Sequence, residues 1–535
     1  MTSSSNLCRY IGVIAALGVS VAGLYYIVWR KKNTRRDGAT IKELKELGNK
    51  LFAAKKYGDS IRIFSKAITA CNTEDCRLLK AMCFQNRAAA KEHHGGYSVD
   101  DMLSDCQQAL KYNPRYAKAY FRKARLLNMG KDYMKSLICV FCAIQLDPAL
   151  EIQATSILST LLEKLEKQSY ESWLHNTTTR GSAKHVRHEK VYIWLHKTVV
   201  SDCIRRDVIS QPFLGCSPYG DAIKKVRSKE YDEVADVAMQ EYGENLLNAL
   251  LLAGRFYLYQ NRLELLSYCL QKFDLIFNAL SEEKKIEKQE LLNAKHVLCI
   301  EAGRSYAEIK NAFANAMEYA DRTNADFYVM AAFRYVVCNE AQAAMDVLST
   351  KGICTDNMKL LQLTLQIYNN AFIDDNNLDM ALLHNSILQL ENFVAKLEPK
   401  TGYALSVLAK VTATFSNGAS ARLISEDILR LEPAESFHYF DRSCMAASSK
   451  DAMDYLEKCI EIEPYHAEAN FMYASLMMNE IGTRIITPDE YDKIEKHISI
   501  AMSTFDDNID FPVIMGVFRL HELLLAKKEA SNILL

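Results

Sequence analysis

The chain has 535 residues, of which 49% are hydrophobic and 24% charged, with a formal net charge of −1. That balance supplies a buried core, excludes global disorder and leaves no overall basic surplus for nucleic-acid binding. Only 9 prolines and 20 glycines punctuate it, which favours long helices over many short strands.

The first predicted element is Tyr10–Trp29, an uncharged run that as a helix rises about 30 Å, the hydrocarbon thickness of a bilayer. Tyr10 sits at one end and Tyr25, Tyr26 and Trp29 at the other, as interfacial aromatics do. Arg9 precedes the run, whereas Arg30, Lys31, Lys32, Arg35 and Arg36 follow it. This asymmetry leaves the long C-terminal part in the cytosol. A cleaved secretory signal would have a shorter apolar core and a small-residue cleavage site instead of an immediate basic cluster. The expected order is therefore a short segment (1–9), a transmembrane anchor in membrane lipid (10–29) and a basic linker (30–40).

Next come helical pairs in a 34-residue frame. Pro114 and Pro148 lie 34 residues apart, and counting back from Pro148 puts Tyr120 at position 4, Ala124 at 8, Tyr133 at 17, Ser136 at 20 and Ala143 at 27. "LKELGNKLFAAKKYGDSIRIFSKAI" fits the same frame, with Leu44 at 4, Gly48 at 8, Tyr57 at 17, Ser60 at 20 and Ala67 at 27. Small residues at 8 and 20 are where two antiparallel helices touch, and the proline ends the second. Leu44, Leu47, Gly48 and Leu51 are expected to form the packing face of the first helix. The second repeat carries extra residues around "HHGGYSVDD", which shifts its second helix. Three such repeats form a module over 41–150.

Residues 151–215 read as a connecting helix followed by an irregular linker. Gln168–Lys190 is polar and loop-like, and the histidines at 175, 185, 188 and 196 lack a compact zinc spacing, so a solvated linker is expected. From 216 to 535 the frame returns in degenerate form. Prolines 399, 433 and 464 end "LEP" or "IEP"; Ala332 and Ala409 occupy position 8, and Ala344 and Ala421 position 20. Gly254 also fits position 8, but Leu266 stands at 20. The expected fold is all-α: a tetratricopeptide-repeat superhelix, or α-solenoid, with an N-terminal transmembrane helix and a concave face suited to extended or helical peptides.

No catalytic signature is present: no phosphate loop, no H-E-x-x-H and no G-x-S-x-G elbow. No catalytic, cofactor-binding or metal residue is assigned, and no enzyme activity is expected. The 15 cysteines follow no framework spacing and read as free thiols in a reducing compartment. Cys139 and Cys142 form a C-x-x-C inside an apolar helical run without a second pair, and read as core.

Polar residues of the first three repeats carry the functional signal. At about 100° per residue, positions 2, 5, 6 and 9 fall nearly opposite the packing face and line the groove. They hold Lys45 (5), Asn49 (9), Asn86 (6), Lys118 (2) and Arg122 (6). For Lys45 and Asn49 alone, a solvated helix face is the better account. Three cations and two amides in register across three repeats instead suit capture of a C-terminal carboxylate with its acidic flank.

"GNKLF", "FQNRAAA" and "KAYFRKA" resemble the two-carboxylate clamp of co-chaperone tetratricopeptide domains. That resemblance implies binding of the acidic C-terminal tails of the seventy- and ninety-kilodalton heat-shock chaperones. Anchor, clamp module, "DVISQP" and degenerate array together resemble the large, seventy-kilodalton-type tetratricopeptide receptor of the mitochondrial outer-membrane translocase. The family implies a single-pass receptor facing the cytosol. It docks chaperones, binds internal targeting signals of precursors such as hydrophobic carriers, and hands them to translocase subunits, with no cofactor and no nucleic acid. The short spacer before the first repeat departs from the family's longer one. The alternatives are a membrane-anchored co-chaperone on another organelle, such as the endoplasmic reticulum, and an enzyme scaffolded on helical repeats.

Overall fold

The structure is a computed structural model and describes residues 40–70, 74–175, 185–198, 201–210, 217–350, 354–372, 380–504 and 511–535. The expected anchor, Tyr10–Trp29, lies outside the described residues. Among the described residues every regular element is helical, and no helix is long and apolar enough to cross a membrane. The architecture is an all-helical, tetratricopeptide-like solenoid that divides into two compact units. Unit 1 comprises residues up to Ser172 together with Met478–Glu495 and Met515–Leu535; unit 2 comprises Trp173–Met477 and Lys496–Ile514.

In unit 1, helix α1 (residues 40–53) pairs with α2 (Tyr57–Ala70), α3 (Arg77–His94) with α4 (Val99–Tyr112), and α5 (Ala117–Met129) with α6 (Tyr133–Leu146), followed by α7 (Glu151–His175). The small residues of the frame make these pairs possible. A Cβ on Gly48 would lie 2.5 Å from the buried Phe64 ring, so only hydrogen fits there. The same close approach lets the Ser60 hydroxyl donate to the Gly48 carbonyl at 2.9 Å. The third repeat repeats it: Ser136 Oγ donates to the Ala124 carbonyl at 2.7 Å. Positions 8 and 20 are thus tied by a buried hydrogen bond as well as by contact. The packing face differs from the expected one at Leu47, which is 45% exposed, while Ile41 is fully buried.

The second repeat absorbs its extra residues in the turn. Gly95 and Gly96 take φ of 74° and 77°, which a side chain would resist. Ser98 then starts α4 with a capping box to Asp101, whose carboxyl is held below its ordinary pKa by the Ser98 hydrogen bonds. Asp105 of α4 is buried and binds Arg87 through two hydrogen bonds (2.6 and 3.0 Å) and Lys91 at 2.9 Å. The final helix, Phe511–Leu534, contributes Ala526, Ala530 and Leu534 to a core shared with α5, α6 and α7. Cys139 and Cys142 lie in that core; burial pushes their thiols up to about 11 and about 12.

Unit 2 shows why one position departs from the small-residue rule. A Cβ built on Gly254 would sit 3.3 Å from Leu298 Cδ2 and 3.4 Å from Leu266 Cδ1, so the leucine at 20 packs directly against the glycine at 8. Ala332, Ala344, Ala409 and Ala421 are all buried. Among the described residues, five non-glycine residues adopt the left-handed conformation: Lys55, Lys131, Lys229, Asn261 and Asn339. Counted in the frame, Lys55, Lys131, Asn261 and Asn339 stand at position 15, where the first helix of a pair turns into the second. Setting Lys229 at 15 puts the buried Ala222 at 8 and reveals a further helix pair, Pro218–Arg227 with Val234–Ala238.

The expected solvated linker is corrected. His185 stacks on Tyr465 with ring centroids 3.7 Å apart and bonds Asp232 at 2.7 Å. His188 and His196 are held below the ordinary histidine pKa by burial. Residues 185–198 are fixed by carboxylates of the "LEP" and "IEP" motifs: Tyr192 donates to Glu432 at 2.8 Å, and the His188 amide donates to Glu463 at 3.0 Å. These contacts make the segment part of the unit 2 core.

Candidate peptide-binding groove

The three helix pairs of unit 1 present the first helix of each pair side by side, so α1, α3 and α5 line one groove. Lys45, Asn86 and Lys118, one from each helix, border a cavity of about 500 Å³. Asn49 stands one turn beyond Lys45 and joins the set through a hydrogen bond, Asn86 Nδ2 donating to its Oδ1 at 2.9 Å. That bond leaves the Asn49 amide nitrogen and the Asn86 carbonyl at the exposed ends of the pair. Among the described residues neither Lys45 nor Lys118 has an ion-pair partner. Two uncompensated cations therefore face the cavity, opposed by Asp147 on the rim.

Arg122 is placed differently. It projects from α5 one turn past Lys118 and is absent from the cavity lining. Its Nη1 pairs with Glu92 of α3, and the other Glu92 oxygen accepts from Arg125 Nη2 at 2.8 Å. Burial draws the Arg122 guanidinium below its ordinary pKa, against the opposing field of Glu92. Four of the five expected residues thus gather at one place, and the fifth is occupied by an internal carboxylate.

Two groups were missed in the sequence. Gln85 is buried, lines the cavity and accepts from Tyr116 at 3.4 Å. Its frame position is 5, the same as Lys45, so the groove rule already contained it. Glu92 had no such signal, because its role comes from a pairing across 30 residues. Elsewhere among the described residues, no group of three or more His, Cys, Asp or Glu side chains is arranged to hold a metal.

Amide and ammonium donors converge on this cavity, where a carboxylate could accept charge-assisted hydrogen bonds.

No protein-family model matches the chain. The chain is 22% identical over 505 residues to the human mitochondrial import receptor subunit TOM70, covering 86% of this chain and 76% of that protein. The chain is a homologue of the TOM70-type import receptor subunits. The Caenorhabditis elegans TOM70-type subunit, tomm-70, is 26% identical over 308 residues, 56% of this chain, and the match spans 53% of its own length, about half of that relative. The Hsp70/Hsp90 co-chaperone cns1 of Schizosaccharomyces pombe is 34% identical over 110 residues, 20% of this chain and 29% of that protein. Among solved structures, the crystal structure of yeast Tom70 overlaps 92% of this chain and 96% of its own at 14% identity, with a TM-score of 0.45. The human and Caenorhabditis elegans relatives both carry the name of mitochondrial import receptor subunit.

Proposed function

We propose that the chain is a protein-import receptor of the mitochondrial outer membrane. Residues 10–29 anchor it once in the membrane, and the bulk of the chain faces the cytosol. The groove of unit 1 docks the acidic C-terminal tails of seventy- and ninety-kilodalton heat-shock chaperones. Unit 2 receives internal targeting signals of precursors, hydrophobic carriers among them, for transfer to translocase subunits. The observation that carries the docking step is the convergence of Lys45, Asn86 and Lys118 on one cavity, with no ion-pair partner for either lysine among the described residues. The similarity to import receptor subunits and to an Hsp70/Hsp90 co-chaperone supports the wider role.

A peptide ending in a free, acid-flanked C-terminus is expected to bind in calorimetry, and the same peptide with an amidated end to bind about tenfold more weakly. Equal affinity for the two would refute carboxylate capture. Residues 1–40 fused to a fluorescent protein are expected to mark mitochondria. A reticular signal would favour the alternative of a co-chaperone anchored on the endoplasmic reticulum.

A further inference from the structure

The two ends of the groove differ in charge state. Around Lys45, Asn86 and Lys118 the donors are open, whereas Arg122 is already paired with Glu92. Arg122 follows Lys118 by four residues, about 6 Å along the helix axis. An extended peptide advances about 3.3 Å per residue. A ligand whose terminal carboxylate sits at the lysines would therefore bring the side chain two residues earlier to Arg122.

That second carboxylate would meet Glu92. The Glu92 side chain is 11% exposed and its two oxygens serve Arg122 and Arg125 separately. Displacing it exchanges one arginine–carboxylate pair for another and leaves the largely buried Glu92 carboxylate with Arg125 alone, so the exchange yields no net pair. We propose that Glu92 is a specificity-determining residue, an internal competitor that makes this groove read one ligand carboxylate instead of two. The inference rests on the reading of the groove as a carboxylate clamp. It goes further in assigning the preferred ligand class: peptides recognised by their free terminus, with little demand for an acidic residue two places before it.

The test uses the full chain and two synthetic free-acid peptides that differ only in glutamate or glutamine two residues before the end. The wild type is expected to bind both within threefold, and Arg122→Ala to change either affinity by no more than threefold. Glu92→Gln, nearly isosteric, frees Arg122 and Arg125 and is expected to bind the glutamate peptide about tenfold more tightly than the glutamine peptide. Adding Arg122→Ala to Glu92→Gln should erase that preference. A wild type that already prefers glutamate tenfold, or a Glu92→Gln protein that binds without preference, overturns the proposal. If Glu92→Gln fails to fold, a large loss on Arg122→Ala alone overturns it. If the wild type does not distinguish free from amidated termini, the clamp reading itself fails and takes this one with it.

Discussion

Asp202→Ala is expected to destabilise unit 2 by about 3–5 kcal/mol, the cost of stranding a buried charge. Asp202 and Arg255 are both buried and pair at 2.7 Å. Asp202 also accepts from the Ile204 amide at 2.8 Å and from Trp194 Nε1 at 3.2 Å. Arg255 binds Glu301 at 3.1 Å and lies over the Trp194 ring at 4.6 Å. Burial opposes the charge on Arg255, but Asp202 and Glu301 outweigh it and raise its pKa. Deleting the carboxylate leaves the guanidinium with half its counter-charge and an indole N–H without its acceptor. Trp194 bonds Asp202 and lies under Arg255, so urea unfolding followed by tryptophan fluorescence includes a reporter within the site. A midpoint equivalent to a loss below about 1 kcal/mol would show that the cluster contributes little. Replacing the pair with apolar residues of similar volume should cost far less than the single change.

Lys45→Ala combined with Lys118→Ala is expected to weaken binding of an acidic C-terminal peptide by about 3 kcal/mol, more than 100-fold. Among the described residues both lysines lack ion-pair partners, so their removal strands no buried carboxylate, and the fold of unit 1 should be retained. Binding to the wild type should weaken with added salt, and this dependence should flatten in the double variant. Calorimetry at low and physiological salt checks both points. A loss under fivefold, with an unchanged melting transition, would remove the lysines from the groove's function.

Much of this was legible in the sequence because tetratricopeptide packing is local. Gly48 and Ser60, or Ala124 and Ser136, meet within a single helix pair, so a fixed spacing encodes their contact. The groove residues follow from the same frame. What resisted reading depends on long-range or shape-dependent partners. Leu47 falls on the expected stripe yet stands exposed. Residues 185–198 look like a polar linker because their partners, Glu432 and Glu463, lie more than two hundred residues away. The last helix spreads its apolar and charged residues around its circumference, so no single face announces where it packs.

That last helix has a temporal consequence. Ala526, Ala530 and Leu534 complete a core with Leu137, Val140 and Leu161, yet the whole of Trp173–Met477 is synthesised in between. Contacts of such sequence separation form late, and a nascent chain folds largely in order of emergence. The helix pairs α1 to α6 can therefore gather early on the ribosome, but the apolar side of α6 and α7 stays uncovered until the distal helix arrives. During translation that open side is itself a surface on which a holdase would act.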